Sequence, residues 1–329
     1  MSELRIGILG AARIAPAAVV RPARQIEGVT VAAVAARDPS RAEAFAARHG
    51  IATVHRDYAA LVADPDLDVI YNPLPNGLHG RWTVAALEAG KHVLCEKPFT
   101  ANRAEAEQVA AVAQGGGQVV AEAFHYRYHP LARRLREVVA GGELGRIHHV
   151  EASICFPLPR FDDIRYRLDL AGGALMDAGC YAVHMLRLVG MAEPEVVSAR
   201  AQLRSPGVDR ALRADLRFPD GPTGRLVCSM WSRSLLRLSV RVSGDRGELR
   251  VFNPLAPQFP HRMTVRTADG HRVEHFARRS TYTYQLEAFR DAVEHGAPLL
   301  TPPADSIANM TVIDALYRAA GLEPRQPST

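Results

Sequence analysis

Of the 40 lysine and arginine residues in this chain only two, Lys91 and Lys97, are lysines. Arginine keeps its proton near neutral pH and lysine can release it, so a position that needs an amine close to a proton transfer cannot drift to arginine. Lys91 and Lys97 are therefore candidates for chemistry. A second set lies at helical spacing: Asp177, Tyr181 four residues later and His184 three beyond that. They put a carboxylate, a phenol and an imidazole on one helix face, able to hold and pass a proton. A third candidate is the turn Gly10-Ala11-Ala12-Arg13-Ile14-Ala15. It leaves an apolar run and opens a helix, the setting in which unpaired N–H groups meet the pyrophosphate of a dinucleotide. Against Gly-x-Gly-x-x-Gly, the second and third glycines are Ala12 and Ala15 here.

The first 123 residues supply a frame for the turn. Leu4 to Leu9, Val29 to Ala36, Leu67 to Asn72, His92 to Cys95 and Gln118 to Ala121 read as strands. Ala15 to Ile26, Ser40 to His49, Tyr58 to Ala63, Gly77 to Ala89 and Arg103 to Ala113 read as helices between them. Strand, helix, strand at this spacing means a parallel, doubly wound sheet: a Rossmann domain over 1–123. The second strand ends Val34-Ala35-Ala36-Arg37. A carboxylate there would serve the ribose 2′-hydroxyl of NAD and repel a 2′-phosphate, whereas Arg37 can clasp that phosphate. NADP is expected over NAD, with Asp38 able to serve a 2′-hydroxyl if the turn is shifted by one residue.

From residue 124 to 329 the pattern changes to a second α/β domain. Helices are expected over Leu131 to Ala140 and Ala174 to Val189, then strand-like segments between Val196 and Phe276. Arg210 to Phe218, Arg225 to Ser232, Leu236 to Ser243 and Glu248 to Phe252 form a meander broken at Pro219-Asp220-Gly221 and Gly244-Asp245-Arg246-Gly247, so this sheet should be open, large and mostly antiparallel. Tyr284 to His295 and Asp305 to Ala320 close the chain as helices, and the Pro-rich tail after Leu322 is expected to fray.

Composition narrows the function classes. The chain has 329 residues, 47% hydrophobic and 23% charged, an ordinary globular balance for about two domains. The net charge of +5 does not point to nucleic acid, because arginines are scattered among acids and no basic stretch is interleaved with aromatics. No apolar run approaches the roughly 18 residues of a membrane helix, and Met1-Ser2-Glu3-Leu4-Arg5 lacks the apolar core of an export signal, so a cytoplasmic protein is expected. The cysteines, Cys95, Cys155, Cys180 and Cys228, are spaced too widely for a disulfide framework or a thiolate metal site and read as small buried hydrophobes. The adjacent His148 and His149 do not have ligand spacing, so no metal is expected.

Three segments carry a resemblance. They are Gly10 to Pro16, then Asn72-Pro73-Leu74-Pro75-Asn76-Gly77-Leu78-His79 leading to Glu96-Lys97-Pro98, and Gly172-Gly173 through Asp177 and Tyr181 to His184. Together they resemble the glucose-fructose oxidoreductase, inositol dehydrogenase and rhizopine-catabolism (Gfo/Idh/MocA) family. Within it, the Gly-Ala-Ala-Arg-Ile-Ala loop, the segment from Glu122 to Pro130 and Tyr181 are most similar to dimeric dihydrodiol dehydrogenases, NADP-dependent xylose dehydrogenases and glucose-fructose oxidoreductase. The resemblance implies an open second sheet used for self-association, hence a homodimer or homotetramer. It also implies that Lys97 lies near nicotinamide and substrate, and that Leu74, Asn76 as an N-cap, His79 and Glu96 lie beside the cofactor with Gly10, Ala12, Arg13, Ile14 and Arg37.

Many members carry Asp-x-x-x-His where this chain has Asp177 and Tyr181. A phenol ionises near 10, too high for a base at neutral pH. An ammonium about 4 Å away at an effective dielectric near 20 contributes roughly 4 kcal/mol, about three units, which would bring Tyr181 near 7. The expected roles are Tyr181 as acid or base, Lys97 lowering its pKa and polarising the substrate oxygen, and Asp177 orienting the pair. Arg127, Asp163, Arg165 and His184 are candidates to bind a polyhydroxylated substrate, a carbohydrate or cyclic diol. The reaction expected is hydride transfer at a carbinol or carbonyl carbon. The rival readings are a non-catalytic dinucleotide sensor and an NAD-dependent glycosidase that oxidises its sugar transiently.

Overall fold

Short runs of Val, Ile, Leu and Ala without a polar face can only be strands covered on both sides. Six build the first sheet: β1 (Leu4–Leu9), β2 (Val29–Ala35), β3 (Thr53–His55), β4 (Val69–Asn72), β5 (His92–Cys95) and β6 (Val120–Glu122). All pair in parallel, in the order β3-β2-β1-β4-β5-β6. The order reverses between β1 and β4, and ligands of such sheets bind in the crevice beyond the carboxyl ends at that point. β3 was not expected, being three residues at the sheet edge with no fully buried side chain. The computed structural model describes residues 3–219, 221–233 and 235–329. Met1, Ser2, Asp220 and Ser234 lie outside them, Asp220 being the centre of the turn expected before Gly221.

The helices between these strands are α1 (Arg21–Ala23), α2 (Pro39–His49), α3 (Tyr58–Val62), α4 (His79–Glu88) and α5 (Arg103–Gly116). Asp38, Asn102 and Asp57 cap α2, α5 and α3 by accepting from the N–H two or three residues on. The single helix expected over 15–26 is divided instead. Pro16–Val20 is a π-helical turn and only Arg21–Ala23 is α, since Pro22 has no N–H to continue the ladder.

The second sheet holds β7 (Ile147–Cys155), β8 (Glu195–Ser205), β9 (Val208–Arg217), β10 (Thr223–Ser229), β11 (Arg237–Gly244), β12 (Gly247–Phe252), β13 (Arg262–Thr267) and β14 (Gly270–Glu274). Their order is β14-β13-β12-β11-β7-β10-β9-β8, antiparallel except where β7 and β10 run parallel. β7, near the middle of the sheet, was missed. Its Val150, Ala152 and Ile154 are buried on the covered face and alternate with His149, Glu151 and Ser153, a strand pattern that the sequence does carry. On the covered face lies α7 (Cys180–Gly190), against β7 and β10, with α6 (Pro130–Ala140) packed beside it, and the chain closes with α8 (Thr281–His295) and α9 (Pro303–Ala319).

Residue 123 separates the two sheets, but the chain returns. Leu286 and Phe289 of α8 are buried in one cluster with Leu4, Ile6, Ile8 and Val34 of the first sheet, and α9 lies between α5 and β8. The tail after Leu322 does not fray. Arg325, 2% exposed, pairs with buried Asp209 at 2.7 Å and donates to the Gly172 carbonyl, while its own carbonyl accepts from Asn102 of the first lobe. Ser328 then donates from its N–H to Gly77 and from its hydroxyl to Asp169. The tail is a strap across both lobes. The four cysteines are free and buried. Among the described residues no helix is long and apolar enough to cross a membrane.

Candidate functional site

The carboxyl ends of the first-sheet strands each deliver part of a site. After β1 the chain turns at Gly10, whose φ of +86° suits only glycine and where a Cβ would press on Leu74 at 3.2 Å. The Gly10 N–H bonds the Ala35 carbonyl at 2.6 Å, fixing the turn to the end of β2. The helical turn after Ala15 begins with Pro16, which has no N–H, and the Ala15, Ala17 and Ala18 N–H groups bond the Ala12 and Ile14 carbonyls, so the N–H groups open to a ligand are those of the loop before it, at Arg13 and Ile14. Arg13, Ile14 and Arg37 stand exposed around it, with Ala12 half-buried. Asp38 is occupied elsewhere: its Oδ1 accepts from the Ser40 N–H at 3.0 Å and the Ser40 hydroxyl at 2.8 Å. A glycine turn, open loop N–H groups and an exposed guanidinium fit a dinucleotide that carries a phosphate on its adenosine ribose.

The loop after β4 differs from expectation. Asn76 is not an N-cap: the short helix begins on it, and its side-chain amide crosses to the second lobe, donating to the Ala171 carbonyl at 3.2 Å. His79 is not free to touch a cofactor. It is 1% exposed, and its ring nitrogens lie 2.7 Å from the Pro98 carbonyl and 2.6 Å from the Leu74 carbonyl, clipping this loop to the turn after β5.

That turn carries Glu96-Lys97-Pro98. Glu96 is buried, accepts from the Tyr71 hydroxyl at 2.8 Å, and has its carboxyl pushed up by burial against the pull of Lys97. Of the two lysines, Lys91 is structural, donating to the Asp64 and Leu67 carbonyls at 2.7 and 2.6 Å. Lys97 instead reaches the second lobe. Its Nζ donates to the Asp177 carbonyl at 3.2 Å and lies 5.1 Å from the centroid of the Tyr181 ring.

Asp177 and Tyr181 were expected on one regular helix. Leu175–Gly179 is a π-helical turn, and α7 begins at Cys180. Widened turns of this kind cluster at functional sites, and here the Asp177 carbonyl is available to Lys97. The Asp177 carboxylate pairs with Arg165 at 3.2 Å, and its other oxygen is buried without a hydrogen bond. Burial raises this carboxyl, opposed by Lys97 and Arg165. Arg165 is also held by Asp163 at 3.0 Å, so two of the four substrate candidates stand beside Asp177.

The other two do not. His184 is buried, with Nδ1 2.7 Å from the Tyr126 hydroxyl, Nε2 2.9 Å from Asp305 and its ring stacked on Phe124 at 4.1 Å. Burial pushes the Asp305 carboxyl up, but His184 and Arg187 outweigh it and bring it to about 2. This is an internal network with no nitrogen to spare. Arg127 lines a separate surface groove of about 680 Å³ with Tyr128, Arg133, Arg136 and Tyr284.

The expected lowering of the Tyr181 phenol is also absent. Tyr181 is 7% exposed, and burial, reinforced by Tyr282 and Glu96, raises it well above 10. The ammonium sits over the ring face, where it does not offset desolvation. Tyr181 is thus a neutral phenol, suited to donate a proton. Its hydroxyl meets His125 Nε2 at 3.3 Å, and the His125 ring packs on Tyr282 at 4.1 Å. Sequence reading passed over both. His125 stood in the Phe124-His125-Tyr126-Arg127 segment, of which only Arg127 was singled out, and Tyr282 lies before the expected start of α8.

Known proteins agree with this architecture. Residues 4–124 match the profile of the oxidoreductase family with an NAD-binding Rossmann fold, GFO/IDH/MocA, and residues 132–250 match the GFO/IDH/MocA C-terminal domain. The chain belongs to this family. It is 40% identical over 319 residues to D-xylose 1-dehydrogenase (NADP(+)) 2 of Haloferax volcanii, covering 96% of this chain and 97% of that one. It is 32% identical to mouse trans-1,2-dihydrobenzene-1,2-diol dehydrogenase, over 89% of each chain. Among solved structures, a 3-ketoreductase from Actinomadura kijaniata in complex with NADP and TDP-benzene superposes with a TM-score of 0.89 at 29% identity, over 97% of this chain and 98% of that one.

Proposed function

We propose that this family member is an NADP-dependent enzyme that moves a hydride between nicotinamide and a carbinol or carbonyl carbon of a sugar or cyclic diol. The observation that carries the reading is the meeting of Lys97 from the first lobe with Tyr181 and Asp177 from the second, beside the carboxyl ends of the first sheet. The Gly10 turn and Arg37 would hold the pyrophosphate and the 2′-phosphate, and the bound nicotinamide would donate the hydride as NADPH or accept it as NADP+. Tyr181, a neutral phenol, gives its proton to the oxygen of a carbonyl under reduction; under oxidation it takes the carbinol proton as it passes its own on to a hydrogen-bond partner. Lys97, held by the Asp177 carbonyl, polarises that oxygen. Arg165 and Asp163 offer charged groups to substrate hydroxyls.

The relatives support this reading. The Haloferax enzyme is named for D-xylose and NADP, and the mouse enzyme for a cyclic diol. Variants of the Actinomadura ketoreductase replace a lysine and a tyrosine that are separated by the same number of positions as Lys97 and Tyr181. The test is a panel of aldoses, keto-sugars and trans-dihydrodiols, D-xylose first, assayed with NADP and with NAD by nicotinamide absorbance. Turnover with NADP supports the proposal. Nucleotide binding without turnover of any panel member would mark a sensor, and sugar release from a glycoside with no net cofactor change would mark the hydrolytic rival. For self-association we propose the open face of the second sheet, where Phe252 is 52% exposed beside Glu248, Arg250, Arg262 and Arg266. Sedimentation of a Phe252→Arg variant as a monomer would support that.

A further inference from the structure

Tyr181 faces a difficulty that its surroundings resolve. If it takes a proton from a carbinol, its own must leave, yet burial opposes a phenolate there. Behind it stands an ordered chain of partners. The Tyr181 hydroxyl is 3.3 Å from His125 Nε2, His125 Nδ1 is 2.8 Å from Thr281 Oγ1, and the Thr281 hydroxyl donates to Gln258 Oε1 at 3.3 Å. An amide oxygen only accepts, so the Thr281 hydrogen points to Gln258. The Thr281 oxygen must then accept from His125 Nδ1–H. A neutral imidazole protonated on Nδ1 carries its lone pair on Nε2, and that lone pair receives the Tyr181 hydrogen. Tyr181 and His125 are buried, Thr281 is fully enclosed, and Gln258 is half-exposed. The four groups lead from the floor of the site to its outside.

We propose that His125 and Thr281 form a proton relay behind Tyr181, making His125 a positioning residue for the reaction rather than a packing histidine. The proposal rests on the reading of Tyr181 given above. In carbinol oxidation the C–H hydride goes to the nicotinamide and the O–H proton to the Tyr181 oxygen. The Tyr181 hydrogen moves to His125 Nε2, the Nδ1 hydrogen to Thr281 Oγ1, the Thr281 hydrogen to Gln258 Oε1, and an N–H hydrogen of the half-exposed Gln258 amide to solvent, leaving that amide as its imidic acid tautomer until the chain resets. Each protein group gains one proton and loses one, so no buried phenolate or imidazolium is formed. Reduction runs the same transfers backward. Burial, with Lys97 second, brings His125 down to about 3, which agrees with an imidazole that passes a proton without storing it.

The first test needs no substrate. Nitrogen-15 NMR of the imidazoles at pH 7 should show His125 with Nδ1 protonated and Nε2 bare, and a proton on Nε2 would overturn the chain as drawn. The second uses the best panel substrate. Thr281→Val should lower kcat about tenfold with KM held, while Thr281→Ser, which keeps the hydroxyl, restores it. Turnover in mixtures of light and heavy water should depend on deuterium fraction along a curve in the native enzyme and Thr281→Ser, and along a straight line in Thr281→Val. His125→Phe should match Thr281→Val, with NADPH fluorescence titration showing that the fold is kept. Native kcat and a native curve in Thr281→Val would sink the relay. Tyr181→Phe separates the two ideas: if it alone loses turnover, the relay fails and the Tyr181 assignment stands; if it keeps turnover, the Tyr181 assignment fails first.

Discussion

The Gly10 turn, proposed to face the nucleotide, and the pocket around Lys97 are built in opposite ways. Around Gly10 the work belongs to backbone, a positive φ, a strand-end hydrogen bond and the loop N–H groups of Arg13 and Ile14, with exposed side chains at Arg13 and Arg37. Around Lys97 it belongs to buried side chains drawn from segments far apart in the chain, each with a partner: Glu96 on Tyr71, Lys97 on Asp177, Tyr181 on His125, His125 on Thr281. An open site for a charged, flexible cofactor needs a shape and a field. A closed site for proton transfer needs fixed orientations and costs desolvation at every ionisable group, visible in the raised carboxyls of Glu96, Asp177 and Glu122.

If the pocket depends on side-chain partners fixed from outside, cutting its anchors should cost most. Arg325→Met removes the cation from buried Asp209, which also accepts from the Leu175 N–H at the start of the π-helical turn that carries Asp177. Leaving a buried charge without its partner costs about 3–5 kcal/mol. Chemical denaturation should show that loss, and a loss under 1 kcal/mol would mean the tail is a passive strap. Next is Glu122, whose carboxyl oxygen accepts from the Phe99 N–H at 2.9 Å just after Glu96-Lys97-Pro98. Burial lifts Glu122 to about 8, so in the folded protein it is neutral at pH 7 while the unfolded chain ionises near 4.5. Its contribution is complete below 4.5 and lost as pH rises through 8. Glu122→Gln, which keeps an acceptor without a charge, should gain on the native chain by about 1 kcal/mol per pH unit between 5 and 8. Melting curves across that range check the slope, and parallel curves would mean Glu122 is ionised. Tyr181→Phe should lower kcat about a hundredfold with NADPH affinity unchanged.

The same contrast explains what could be read from sequence. The Rossmann half and its turn follow local rules: apolar runs, a glycine, helix starts. So β1, β2, β4 and β5 and the turn at Gly10 were legible, whereas rarity marked Lys91 and Lys97 alike and only the fold separates them. The pocket was legible only in part because its geometry depends on contacts that spacing does not encode. Asp177 and Tyr181 do meet Lys97, but through a π-helical turn, and the phenol is driven up because burial, invisible in sequence, exceeds the ammonium's effect. His184 shares the helical register with Tyr181 and yet faces Asp305. His125 and Thr281 are 156 residues apart and meet only because α8 returns to the first lobe. The docked tail was missed for a similar reason, its polar residues being satisfied by partners elsewhere in the fold, whereas β7 alternates polar and apolar residues from His149 to Ile154 and was open to reading.

The smallest expected effect lies at the open end and tests the comparison from that side. Arg37 stands exposed at the end of β2 with Asp38 turned away to cap α2. If it clasps the 2′-phosphate, Arg37→Ala removes one charge-assisted contact at a solvated site, worth about 1–2 kcal/mol, or roughly tenfold in affinity. The loss should fall on NADP alone, because NAD has only a hydroxyl there, and it should shrink as salt screens an exposed charge, whereas contacts inside the pocket are shielded from salt. Titrating NADPH and NADH fluorescence at low and at physiological ionic strength measures both. Equal weakening of the two nucleotides would move Arg37 from the ribose to the pyrophosphate. No change in either would return it to the solvated surface, and the preference for NADP would then have to arise from another residue of the same turn, with Arg13 the first to replace.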